Sequence, residues 1–304
     1  DEDEEEAASD GTEITEEDLG FDPNSTAMMI AADLDGLPPQ SPFVLLVQGK
    51  GEKLAAVLRE RPQWLRAKDK LGRTLLHLSL MRCMPDMLSV LLATPDKAAV
   101  AAAVGRPFRG IGRGRQGRKG FPALHLCLSR GCSARHCDQI LKCLEMLSDL
   151  PEVKVDAVDA SGRTALHLAC LHGNAQIVSC LLKHHSNAAL GDIRGLLPLH
   201  YAVDSFGSTE AFRKVLAATT VPELAAEESH PLYRCIDRQA WEAAEMLLAD
   251  TRWRPSEASL RKLDEFATRR GVGAVWKMVC DKAGCSATAD VQSASGRGSP
   301  SRSI

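Results

Sequence analysis

Four histidines, His77, His125, His167 and His200, stand with ten cysteines in a chain of 304 residues, and these side chains have the greatest capacity for chemistry. Imidazoles and thiols are the ligands of zinc and the working parts of nucleophilic catalysis. The densest group is Cys127, Cys132, His136, Cys137 and Cys143, whose cysteines are five, five and six residues apart. Structural zinc sites use close Cys-x₂₋₄-Cys pairs, so no metal is expected, and Cys132 and Cys137 read as exposed thiols on a loop. Gly112-Arg-Gly114-Arg-Gln-Gly117 matches a dinucleotide fingerprint. That motif works only between a strand and a helix, and no strand precedes it. There is no P-loop, no His-Glu-x-x-His and no nucleophile–base pair. The expectation is a protein that is not an enzyme and holds no cofactor.

The histidines belong instead to a repeat. Asp159-Ala-Ser-Gly162-Arg-Thr164-Ala165-Leu166-His167-Leu-Ala169 returns as Asp192-Ile-Arg-Gly195-Leu-Leu-Pro198-Leu199-His200-Tyr-Ala202, at a spacing of 33. Upstream it reads Asp69-Lys-Leu-Gly72-Arg-Thr74-Leu75-Leu76-His77, and again Gly120-Phe-Pro122-Ala123-Leu124-His125. One further step from His200 reaches Tyr233. After the best copy, Gly173 breaks the chain and Ile177, Val178, Leu181 and Leu182 form the apolar stripe of a second helix. Each unit is a turn, a short helix, a break and a longer helix. None can cover both of its apolar faces alone, so copies must stack. Equivalent histidines then lie about 10 Å apart, a helix-packing distance, too far to share an ion.

Thr-Pro-Leu-His-x-Ala at a period of 33 is the signature of ankyrin repeats, which this pattern resembles strongly at 158–190 and 191–219 and well at 69–93. The match is looser at 41–66, 120–148 and 228–250. The resemblance implies an all-α, ankyrin-type helix–turn–helix solenoid with short β-hairpin turns. About five to six repeats are expected, with a C-terminal helical cap over 258–282. It also implies that the histidine braces adjacent turns through hydrogen bonds. His185 occupies the place where the family commonly ends its second helix with glycine.

Three regions follow. Residues 1–40 form an acidic arm expected to be disordered, 41–283 the repeat array with a basic Arg-Gly insertion at 94–119, and 284–304 a disordered Ser/Gly/Arg tail. The net charge of −3 hides this division. Residues 1–20 hold eleven acids and no base, which leaves the remainder at +8. The longest apolar run, Ala98 to Val104, is far shorter than the ~20 residues of a membrane span. Cysteine use without a secretory signal points to a reducing, intracellular compartment, cytoplasmic or nuclear. The absence of an initiator Met suggests a fragment or a processed product.

In the family, hairpin tips and the exposed side of the first helix form a concave binding surface. Carried over by position, that surface takes in Lys70, Arg73, Arg82, Arg118, Lys119, Arg130, Arg163 and Arg194, with Leu171, Ile193 and Leu196 as apolar contacts. The reading is a scaffold or adaptor whose basic groove binds an acidic protein segment, with the acidic arm as a competitor in cis. Its alternatives are RNA or polyanion binding through Arg106, Arg109, Arg113 and Arg115, or a regulatory part of a larger enzyme.

Overall fold

The computed structural model describes residues 41–69, 73–104, 122–128, 137–205, 209–220 and 230–285. The chain divides into two compact units, residues 1–161 and 162–304. Among the described residues every regular element is helical. Apolar side chains recurring at three and four residues fill the space between helices, mostly with Leu, Ala, Val and Cys, joined by the buried rings of Trp253, Trp276, Tyr201 and Phe212.

Among the described residues the first unit contains three helix pairs. These are α1 (Pro42–Val47) with α2 (Gly51–Glu60), α3 (Leu75–Met81) with α4 (Pro85–Leu92), and α6 (Ala123–Leu128) with α7 (Cys137–Ser148). The short helices α1, α3 and α6 pack in one row and the longer α2, α4 and α7 in another. Leu54, Leu58, Leu75, Leu78, Leu88, Leu126 and Leu144 fill the interior.

Helix α5 (Lys97–Val104) falls inside the stretch read as a basic loop, and packs against α3, α4 and the 3₁₀ turn Pro62–Arg66. Its Ala-rich sequence favours helix, and Val100 and Val104 are buried. Cys137 is also buried, because α7 begins there and turns its first residue inward. That corrects its expected exposure; Cys132 lies outside the described residues.

The described residues of the second unit form four pairs: α8 (Ala165–Leu171) with α9 (Ala175–Lys183), α10 (Pro198–Asp204) with α11 (Thr209–Ala218), α12 (Pro231–Asp237) with α13 (Trp241–Ala249), and α14 (Glu257–Arg269) with α15 (Gly273–Lys282). Again the first helices of the pairs stack on one another, as do the second. The break within a pair needs a left-handed residue. Gly173 supplies it at φ 65, yet Cys83 at φ 49 and Gln239 at φ 54 hold the same station without being glycine. His185 takes a left-handed conformation too, at φ 62, where glycine would carry no Cβ penalty.

The expected hairpins are reduced to tight turns. Asp192 N–H donates to the Leu196 carbonyl at 2.9 Å, and Asp69 N–H to that of Arg73 at 2.9 Å. One such bond closes each turn without a strand ladder.

His230 caps α12 by accepting the Leu232 N–H at Nδ1, 3.2 Å away, while Nε2 lies 3.0 Å from the Trp253 carbonyl. Burial lowers its pKa below the usual 6.5, against the opposing pull of the Trp253 carbonyl. The unfolded chain therefore takes up this proton first. The stabilisation is complete above about pH 6.5 and is lost as pH falls through the folded-state pKa, by at most about 1.4 kcal/mol per pH unit. Urea midpoints compared at about pH 7.5 and 5.5 should drop more in the wild type than in His230→Asn, which keeps a capping acceptor without a titrating ring. Equal drops would remove His230 as the cause.

Candidate functional site

Three of the repeated turns are organised by an aspartate eight residues before the histidine position. Asp192 is the fullest case. Its Oδ1 accepts the N–H groups of Arg194 and Leu196 at 2.8 and 2.9 Å, and its Oδ2 accepts the Tyr201 hydroxyl at 2.7 Å. The Asp192 side chain is 1% exposed. Burial first, then this hydrogen bond, pushes the Tyr201 phenol up to about 12, so it remains a donor. Asp159 does the same for the Ser161 N–H, at 2.8 Å. In the first unit Asp69 accepts the Arg73 N–H at 2.7 Å.

The histidine then ties the turn to its helix. Thr164 N–H donates to His167 Nδ1 at 3.0 Å, with the Thr164 hydroxyl 2.9 Å from the same atom. Thr74 and His77 repeat this at 3.1 and 2.9 Å, and Leu197 N–H serves His200 at 2.9 Å. Because Nδ1 accepts, the proton sits on Nε2. In His167 that Nε2–H lies 3.0 Å from the Leu196 carbonyl of the following turn. The expected bracing role is present there. No cluster of three or more His, Cys, Asp or Glu capable of holding a metal occurs among the described residues.

A rigid turn decides which tip residues face outward. Ile193 is 73% exposed, and the Arg194 side chain 48%. Leu171 and Leu196 are half-buried beside them. The residue four before the histidine behaves differently. Arg73 folds back so that its Nε meets Asp69 Oδ2 at 2.5 Å, leaving 3% of the side chain exposed. Arg163, at the same station, is 5% exposed and close enough to Tyr201 to favour its ionisation. Both were expected on the binding face, and both are buried, Arg73 in a pair with Asp69. The buried Asp69 carboxylate draws the Arg73 guanidinium inward. Arg82 is half-buried at the end of α3. Lys70, Arg118, Lys119 and Arg130 lie outside the described residues, as do Arg106, Arg109, Arg113 and Arg115.

One cluster was not foreseen. Asp204, closing α10, accepts Arg234 Nε at 2.8 and 2.9 Å, takes a further close contact from Arg234 Nη2, and accepts Arg238 Nε at 3.2 Å. Asp237 in turn pairs with Arg270 at 2.7 Å, whose guanidinium lies 5.4 Å from the Phe266 ring centre. Opposite charges 30 residues apart, one repeat less three, were the available signal. Beside this cluster a cleft of about 470 Å³ is lined by Asp204, Phe212, Arg238 and Trp241, among others.

Residues 132–225 match the family model described as ankyrin repeats (3 copies). Human inversin is 38% identical over 64 residues, which is 21% of this chain and 6% of inversin. The dog protein shows the same values, and mouse inversin is 36% identical over the same length. The chain thus spans a small fraction of the length of the curated relatives it matches.

Proposed function

Residues 132–225 being ankyrin repeats, modules that generally mediate protein–protein interaction and are generally non-catalytic, we propose that this chain is a non-enzymatic adaptor. Its partner is a protein segment that brings an apolar side chain to Ile193 and an acidic one to Arg194. The observation that carries this reading is an isoleucine 73% exposed at the tip of a turn locked from beneath by Asp192. An exposed β-branched side chain on a preorganised backbone costs little ordering entropy on binding.

Leu171 and Leu196 extend the apolar contact, and the carboxylates favour encounter and register more than affinity. Lys70, Arg82, Arg118, Lys119 and Arg130 belong to the proposed surface by their place in the repeat. Arg73 and Arg163 are left out of it, Arg73 because it pairs with Asp69 inside its turn and Arg163 because it is buried. Among the described residues no helix is long and apolar enough to cross a membrane. Nine described cysteines are free thiols, in keeping with a reducing intracellular setting, cytoplasmic or nuclear.

Ile193→Asp and Arg194→Glu test the proposal, with thermal stability measured alongside: Ile193→Asp should leave it nearly unchanged, while Arg194→Glu also removes the Arg194 contacts with Asp192 and the Tyr201 hydroxyl. Quantitative capture from cell extract should show the same subset of proteins reduced roughly tenfold or more in each variant. Retention of every captured protein by both variants would sink the assignment of this face.

A further inference from the structure

Helix α15 ends in a turn that places two thiols together. Gly284, at φ 67, takes the left-handed cap position. Its N–H donates to the Asp281 carbonyl at 3.1 Å, while Cys285 N–H donates to the Cys280 carbonyl at 2.8 Å. These two bonds define a Schellman cap, whose usual companion is an apolar contact between the residues at the stations of Cys280 and Cys285. Here those two stations hold sulfur-bearing side chains, each 5% exposed and near enough for Cys285 to act electrostatically on Cys280. The 2.8 Å bond, with standard backbone lengths, keeps the two Cα atoms within about 6.7 Å. A disulfide requires about 4.4–6.8 Å.

We propose that Cys280 and Cys285 are a redox pair, joined by a hydroperoxide into a disulfide that staples the end of α15. The Cys285 thiolate attacks the peroxide oxygen, forming an S–O bond and breaking O–O. Hydroxide leaves, and Cys285 becomes a sulfenic acid. Cys280 sulfur then attacks Cys285 sulfur, forming S–S as S–O breaks, and the Cys280 proton leaves with the departing hydroxyl as water. Two thiols lose two electrons and two protons in total, and one peroxide becomes two waters.

The order of events follows from position. Cys280 lies within the helix, where burial first and then Asp264, Cys285 and Asp281 push its thiol up to about 12. Cys285 sits beyond the last turn, where helix ends open most readily. Cys83, Cys127 and Cys143 form the contrasting group. Cys83 Sγ donates to the Cys127 carbonyl at 3.5 Å, and burial raises the Cys127 thiol well above its usual value. They lie in the first unit's interior, and their access to solvent requires opening helix pairs. Arg254 Nη2 donates to the Gly284 carbonyl at 2.7 Å. The staple therefore also fixes the turn to which the segment before α14 is attached.

The full chain is treated with a small excess of hydrogen peroxide, its remaining thiols are alkylated after denaturation, and it is mapped by mass spectrometry. The expected product is a Cys280–Cys285 disulfide, with Cys83, Cys127 and Cys143 alkylated. Amide exchange at Gly284 and Cys285 should slow by roughly tenfold or more in the oxidised protein, as expected for closing even a short loop. In Cys280→Ser the sulfenic acid has no resolving thiol, so dimedone should label Cys285. Alkylation of both Cys280 and Cys285 after peroxide, or their disulfides with other cysteines, overturns the proposal. So does dimedone labelling elsewhere in Cys280→Ser with Cys285 unmodified.

Discussion

Gly162→Ala is expected to destabilise the second unit by about 2–4 kcal/mol, read as a lower urea midpoint with an unchanged m-value. Gly162 sits at φ 76, where an L side chain is strained. The left-handed region alone costs an ordinary residue roughly 1–2 kcal/mol. A Cβ at this position would also lie 2.8 Å from the Ile193 backbone nitrogen and 3.1 Å from Ile193 Cγ2. Ile193 belongs to the next turn, which His167 already holds by the Leu196 carbonyl. The backbone therefore cannot yield without lengthening that bond, and overpacking of this kind costs a further 1–3 kcal/mol or so. Gly195, at φ 75, has nothing within 4 Å of its hypothetical Cβ. Gly195→Ala should thus show the conformational cost alone. Equal losses in the two variants would mean that close stacking at Gly162 contributes nothing.

The second large effect concerns Asp192. Asp192→Ala strands the Tyr201 hydroxyl and two backbone N–H groups in a buried place, and a loss of about 3 kcal/mol or more is expected. Asp192→Asn keeps an acceptor oxygen and should lose less. A double-mutant cycle isolates the pair, because Tyr201→Phe removes the stranded hydroxyl. Tyr201→Phe in the Asp192→Ala background should therefore cost little or restore some stability. Full additivity of the two losses would show that the 2.7 Å contact carries no coupling. Binding through Ile193 should weaken in Asp192→Ala even where the chain remains folded, since the tip loses the support that holds it outward.

The periodic Asp, Gly and His stations were readable from the sequence because each serves a single local purpose. The aspartate closes the turn, the glycine permits its positive φ, and the histidine caps the helix. Most of their partners lie in the same turn or its helix, although His167 also reaches the Leu196 carbonyl and Gly162 is closely approached by Ile193 of the next turn. Helix stripes were readable for the same reason, and Ile177, Val178 and Leu181 are all fully buried. The direction of the arginines was not. Arg73 and Arg194 both flank a turn aspartate, yet one is enclosed and the other half-exposed. Their fates depend on whether the backbone aims the side chain under the turn or off its tip, which a count of basic positions cannot register. Nor does charge periodicity reveal that Arg234 and Arg238 converge on one carboxylate. The helix Lys97–Val104 had a local signal in its alanines, obscured by the glycine-rich run that follows.

Asp204 gives the second unit a resident competitor. Any acidic group that approaches Arg238 meets a guanidinium already occupied, so docking there is an exchange of one carboxylate for another. Few counterions are released in such an exchange, and added salt should disturb it less than it disturbs binding to unpaired cations. Were the proposed acidic partner to reach Arg238, the Asp204 pair would favour only segments whose other contacts repay the displacement.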